Sequence, residues 1–168
     1  MNGFSTLVFG IPAPQGSKRV FIHPATKRPV LTEASSKTRP WRQKIVDACG
    51  TVPNHGPLEG PVAIYLVFTM PRPKSAPKSV TRPATRPDCD KLQRAVFDSL
   101  TDAGVWKDDA QVCEVARVAK VFPCSDAYSL DTPGLLVAAV EMSDDWKNDL
   151  RIELYKLRVA LLRRKGTE

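Results

Sequence analysis

Apolar and polar positions along this chain follow two rhythms. Between residues 89 and 103, Leu92, Ala95, Val96, Ser99, Leu100 and Ala103 recur at steps of three and four, which predicts a helix of about three turns with one buried stripe. Asp90 suits its N-cap, with Gln93 three residues later completing a capping-box pattern, and Gly104 suits its stop. Trp41, Ile45 and Ala48 mark another helix that begins near Arg39, because Pro40 is tolerated only in a first turn. Trp146, Leu150, Leu154, Leu157 and Leu161 mark a third. Ser143 can cap it, Asp144 and Asp145 favour its start, and Arg163, Arg164 and Lys165 favour its end. That last stripe has to cover either the chain's own sheet or a second subunit, and an added dimer contact is the preferred reading.

The other rhythm is extended. Residues 62–69 are apolar on both faces, as expected of a strand covered on both sides by helices or by a partner subunit. Residues 4–10 read as a strand, and residues 20–22 and 30–31 as a small hairpin around a turn at 23–29. The valines of residues 112–122 fall every third position, yet β-branched enrichment favours a strand, followed by a turn at 126–132 and a strand at 135–142. Proline and glycine make residues 11–17 and 50–61 loops. The sum is a single compact α/β (α+β) domain, a small mixed sheet with packed helices, ending in an extra C-terminal helix.

Charge changes this picture more than composition does. With 168 residues and 42% apolar content the chain can fill one core, whereas a formal charge of +7 and a pI near 9.4 favour a polyanionic partner. Nucleic acid ranks ahead of a membrane, since no run approaches the ~20 apolar residues of a span and residues 1–15 lack a signal-peptide pattern. A cytoplasmic protein follows as the expectation. Residues 70–87 carry Arg72, Lys74, Lys78, Arg82 and Arg86 with five prolines and no acid. A segment so basic and so poor in large apolar side chains is expected to be mobile and to grip phosphates. Lys18 and Arg19 follow the first loop, and Arg39, Arg42 and Lys44 give the Trp41 helix a basic side. Cys49, Cys89, Cys113 and Cys124 have no zinc-ligand spacing and read as reduced thiols, and His23 and His55 as surface residues.

The candidate chemistry is acidic. Asp88 and Asp90 open the central helix, where its partial positive charge favours ionised carboxylates, and Asp108 and Asp109 follow just past its end. A short turn through Val105 and Trp106 is expected to fold the second pair back beside the first. Asp88, Asp90 and either Asp109 or Asp108 would then converge on a divalent cation, because hard Mg²⁺ takes carboxylate oxygens, water and substrate phosphate. Arg94, four residues after Asp90, projects on the same side and can meet a phosphate held there. Asp98, between Arg94 and Asp102 on the polar face, reads as solvated or ion-paired. The plain alternative makes Asp90 a helix cap and Asp108 and Asp109 turn residues.

Three blocks resemble the RusA family of Holliday-junction resolvases of bacteria and their phages. They are Arg86-Pro87-Asp88-Cys89-Asp90, then Lys91-Leu92-Gln93-Arg94-Ala95-Val96-Phe97-Asp98-Ser99-Leu100-Thr101, then Ala103-Gly104-Val105-Trp106-Lys107-Asp108-Asp109-Ala110-Gln111-Val112. This core spans under a fifth of the chain, and looser similarity extends to about residue 142. The resemblance implies a nuclease domain over 1–142, with 143–168 as an added helix that packs on it or joins a dimer. It also implies Asp88, Asp90 and Asp109 as ligands of Mg²⁺, with Mn²⁺ as an alternative, and leaves Asp108 a bystander. A homodimer would resolve a four-way junction by paired symmetric nicks, Arg94 helping at the phosphate and Lys18, Arg19, Arg72, Lys74, Lys78, Arg82, Arg86 and Lys91 meeting DNA. Rival readings are an endonuclease for other branched or flapped DNA and a non-catalytic architectural DNA-binding protein. Two departures stand out. The family usually has asparagine at Lys91 and a catalytically important lysine at Arg94, and an arginine keeps the charge but does not donate a proton.

Overall fold

A computed structural model of the chain describes residues 2–16, 19–32, 36–50, 56–77 and 79–165. Strand β4 (Val62–Thr69) is the centre of the fold because its side chains alternate between two apolar layers, as period two demands. Val62, Ile64, Leu66 and Phe68 face helices α1 (Thr38–Cys49) and α2 (Cys89–Asp102), where they meet Trp41, Ile45, Leu92, Ala95, Val96 and Leu100. Ala63 and Val67 face the opposite way, towards α3 (Trp146–Lys165).

A four-stranded sheet surrounds β4 in the order β1-β6-β4-β5, with β1 at Gly3–Phe9, β5 at Val112–Val121 and β6 at Gly134–Glu141. β6 is antiparallel to both β1 and β4, and β5 is parallel to β4. At the start of β6, Gly134 is required by a close approach, since a Cβ there would lie 2.3 Å from the Val8 carbonyl oxygen. β2 (Arg19–Ile22) and β3 (Pro29–Thr32) form the expected hairpin as a separate two-stranded sheet. The fold is therefore the mixed-sheet α+β domain the sequence implied.

The last helix corrects a preference. Leu150, Leu154, Leu157 and Leu161 are buried against Leu136, Ala138 and Val140 of the chain's own sheet, so the stripe is spent within the chain rather than on a second subunit. Each buried leucine contributes about 1.5–3 kcal/mol, and without α3 that face of the sheet would be open.

One topological fact governs the site. Parallel strands need a crossover that returns the chain to its starting end, and here α2 is that crossover. The start of α2 therefore lies at the finishing end of β4 and β5, and its end lies where β5 begins. Trp106 marks the second place: it is buried, bridges to Leu58 ahead of β4, donates its indole N–H to Thr101 Oγ1 at 2.8 Å and meets Phe97 edge-on.

Candidate active site

Asp88, not Asp90, is the N-cap of α2, with extended backbone (φ −73°, ψ 146°) and no side-chain hydrogen bond to the helix. Asp90 lies in the first turn. The capping box expected of Asp90 and Gln93 is found instead around the 3₁₀ turn Asp109–Gln111. There the Asp108 carboxylate accepts from the Ala110 N–H at 2.8 Å, and the Gln111 side-chain oxygen accepts from the Asp108 N–H at 3.2 Å. Capping occupies Asp108 and leaves Asp109, half-buried, at the mouth of β5.

Asp88, Asp90 and Arg94 are exposed at the start of α2. Lys91 pairs with Asp90 at 3.1 Å and holds its carboxyl below the usual carboxylate range. The segment before Asp88, expected to be mobile, is held by several contacts. Lys120, near the end of β5, donates to the carbonyl oxygens of Thr85 (2.6 Å) and Pro87 (2.8 Å). Arg72 lies 4.7 Å over the Phe122 ring and donates to the Pro77 carbonyl. Arg82 reaches Asp126 at 3.6 Å. Three of the expected DNA cations, Arg72, Arg82 and Lys91, thus already have partners within the chain, while Lys74 and Arg86 are exposed. Lys18 and Lys78 lie outside the described residues, as does His55, and Arg19 opens β2.

Arg42, on the basic side of α1, is tied down within the chain. It donates to Asp102 at 2.5 Å and pairs with Asp98 at 3.5 Å, and Gln15 bonds the same Asp98 carboxylate. Arg42 therefore joins α1 to α2, and Asp98 is the ion-paired residue expected. Lys120, Arg117 and Gln15 are the residues sequence reasoning missed; a lone lysine at a strand end and a glutamine in a proline-rich loop carry no pattern.

Beneath the basic segment, Arg117 donates both guanidinium nitrogens to Asp126 (2.6 and 3.3 Å) and one of them to the Tyr65 hydroxyl at 2.7 Å. The Arg117 hydrogen bond holds the Asp126 carboxyl below its usual range despite desolvation. A carboxyl depressed on folding stabilises the protein fully above its unfolded pKa of about 3.9, and that stabilisation is lost as pH falls through the folded value. Asp126→Asn is expected to flatten the loss of stability below about pH 4, measured as urea midpoints from pH 7 to pH 3; an acid limb as steep as the parent's would exclude Asp126 as its source.

The three candidate ligands do not meet. Among the described residues no group of three or more His, Cys, Asp or Glu side chains is placed to hold a metal ion. The reason is the crossover: Asp88 and Asp90 precede a 14-residue helix, about 21 Å long, and Asp109 follows it. A turn after the helix cannot bring the second acidic pair back to the first. One chain's residues do not fit a three-carboxylate cation site. Cys49 is half-buried, and that burial pushes its thiol up to about 12; all four cysteines are free.

A mixed α+β domain that shows an aspartate pair at a helix start, beside a tethered acid-free cationic segment, has the form of a phosphodiester-directed enzyme. Comparison with known proteins makes this specific. The family model described as Endodeoxyribonuclease RusA matches residues 12–137. The Crossover junction endodeoxyribonuclease RusA of Escherichia coli K12 is 31% identical over 121 residues, covering 72% of this chain and 85% of that protein. The namesake from Enterobacteria phage 82 is 58% identical over 36 residues, 21% of this chain and 29% of its own. An uncharacterized protein of Bacillus subtilis, YqaN, is 28% identical over 132 residues, 73% of this chain and 89% of its own. The chain belongs to the RusA family of endodeoxyribonucleases. Among the described residues no helix is long and apolar enough to cross a membrane.

Proposed function

We propose that this chain is a junction-resolving endodeoxyribonuclease that works as a homodimer, each cleavage site combining Asp88 and Asp90 of one copy with Asp109 of the partner subunit. The observation that carries this reading is the separation of the acids to opposite ends of α2, with the free edge of β5 running between them.

β5 is a terminal strand of the sheet, and its residues 113–116 are exposed. Unpaired strand edges invite pairing, and a twofold axis through β5 would join two copies antiparallel. The start of one β5 then lies at the end of the other, which brings Asp109 of the partner subunit towards the Asp88 end of α2. An open hollow of about 960 Å³ lined by Leu58, Trp106, Gln111 and Cys113 adjoins the same edge and can take up the partner's bulk.

Three carboxylates gathered in this way suit Mg²⁺ or Mn²⁺, and the bound ion would activate water and offset charge on the scissile phosphate. The chain's own residues do the rest. Lys120 fixes the backbone of residues 85 and 87 and so the aim of Asp88. Arg94, exposed one turn into α2, can fork onto a phosphate oxygen pair as a fixed cation. Lys74 and Arg86 are placed to hold the DNA backbone leading to the acids. Two sites related by a twofold match the near-twofold form of a four-way junction and support paired symmetric nicks.

The test is cleavage of synthetic four-way junction, Y-form and linear duplex side by side, with Mg²⁺ and with EDTA. Junction-selective, Mg²⁺-dependent nicking on opposed strands is expected. Equal cleavage of all three would point to a general branched-DNA nuclease, and binding without cleavage to an architectural protein.

A further inference from the structure

The β2–β3 hairpin is the part of the fold that the cleavage site leaves unexplained. Val20, Phe21 and Ile22 are 64%, 44% and 65% exposed. Consecutive strand residues point to opposite faces, so the hairpin buries neither face on the body. Its turn is nonetheless ordered: His23 N–H donates to the Arg28 carbonyl at 2.9 Å, Lys27 N–H to the His23 carbonyl at 2.8 Å, and Thr26 N–H to His23 Nδ1 at 3.3 Å. Lys27 sits at φ 56°, a left-handed position that normally falls to glycine or asparagine, so a long cation is displayed at a site that disfavours it. Neither Asp nor Glu occurs in the first 32 residues, while Lys18, Arg19, Lys27 and Arg28 all do.

The hairpin also belongs to the acid pair's end of the molecule. Gln15 N–H, in the loop that precedes the hairpin, donates to the Lys91 carbonyl at 2.9 Å in the first turn of α2. Arg19 follows Gln15 by four residues, a reach of at most about 14 Å.

We propose that this hairpin is a DNA-binding arm: Lys27 and Arg28 hold the backbone of a duplex arm near the branch, and Phe21 lies on base surface unstacked at the branch point. An acid-free cationic turn is complementary to phosphate, and exposed aromatic rings stack on unpaired bases without sequence preference. Contact with the same hairpin of a second copy is disfavoured, because it would set cation against cation. The inference rests on the junction-nuclease reading and adds to it a contact remote from the acids.

The experiment measures binding of the full chain to labelled four-way junction and to linear duplex, in EDTA, from 50 to 200 mM salt. Lys27→Ala with Arg28→Ala is expected to weaken both complexes about tenfold or more and to lower the log–log salt slope by about 2, near 0.9 for each phosphate no longer neutralised. Phe21→Ala is expected to weaken junction binding about tenfold and leave duplex binding unchanged, with Phe21→Leu behaving like alanine because the ring is what stacks. Sedimentation of each variant accompanies the titrations. Parental junction affinity in both variants would overturn the proposal while leaving the nuclease reading intact. So would dissociation of Phe21→Ala to monomers with Phe21→Leu still associated, which would make the hairpin a subunit contact. If the parent chain itself fails to bind junctions, the nuclease reading fails and this one with it.

Discussion

Asp109→Asn is expected to lower junction cleavage by roughly three orders of magnitude, about 4 kcal/mol of transition-state stabilisation, with junction binding retained. The substitution keeps the shape of the side chain and removes its charge. Asp109 sits at the head of a 3₁₀ turn whose capping is done by Asp108 and Gln111, so the fold does not depend on its carboxylate. Asp90→Asn should lose activity to a similar degree, and it also frees Lys91 from its ion pair. Single-turnover cleavage in Mg²⁺ and junction titration in EDTA check both. Cleavage at the parental rate in either variant would remove that residue from the site.

The largest stability effect is expected at Trp106. Its indole is buried, hydrogen-bonded to Thr101, packed edge-on against Phe97 and bridged through the backbone to Leu58, so it locks the end of α2 to the segment that leads into β4. Trp106→Ala removes all side-chain contacts and leaves a cavity, for which about 3–5 kcal/mol is the expected cost. Urea unfolding should show a lower midpoint with an unchanged slope. Because the same turn fixes where Asp109 stands, cleavage should fall even where the variant remains folded. A loss under about 1 kcal/mol, well short of the usual cost of an emptied core site, would mean that the turn is held by other contacts.

Much of the fold was legible because its signals are local. The α2 stripe from Leu92 to Leu100, the two-faced apolar run of β4 and the leucines of α3 are periodicities that burial imposes directly. Which surface a stripe covers is not local: the α3 leucines would suit a dimer contact equally well, yet they lie on the chain's own sheet. The capping box moved from Asp90 to Asp108 for a similar reason: both sequences satisfy the pattern, and only the backbone around Gln111 closes it. Proximity of the acids is not legible in the sequence, because closeness along the chain is not closeness in space. A helix between two parallel strands carries the chain away, so acids that flank it are held about its length apart. The bonds from Lys120 to Pro87, Arg117 to Tyr65 and Gln15 to Asp98 join residues 33 to 83 positions apart and leave no periodic trace.

The most direct test of a site shared between two copies is complementation between two inactive chains. Asp90→Asn and Asp109→Asn proteins, each inactive alone, are mixed under conditions that exchange subunits and assayed on a four-way junction. In a mixed dimer one site then combines the intact Asp88 and Asp90 of one chain with the intact Asp109 of the other, and the second site carries both defects. Restored nicking on one strand per junction, unpaired and rising with the fraction of mixed dimers, is the expected result. A mixture of exchanged subunits that stays as inactive as its components would contradict it.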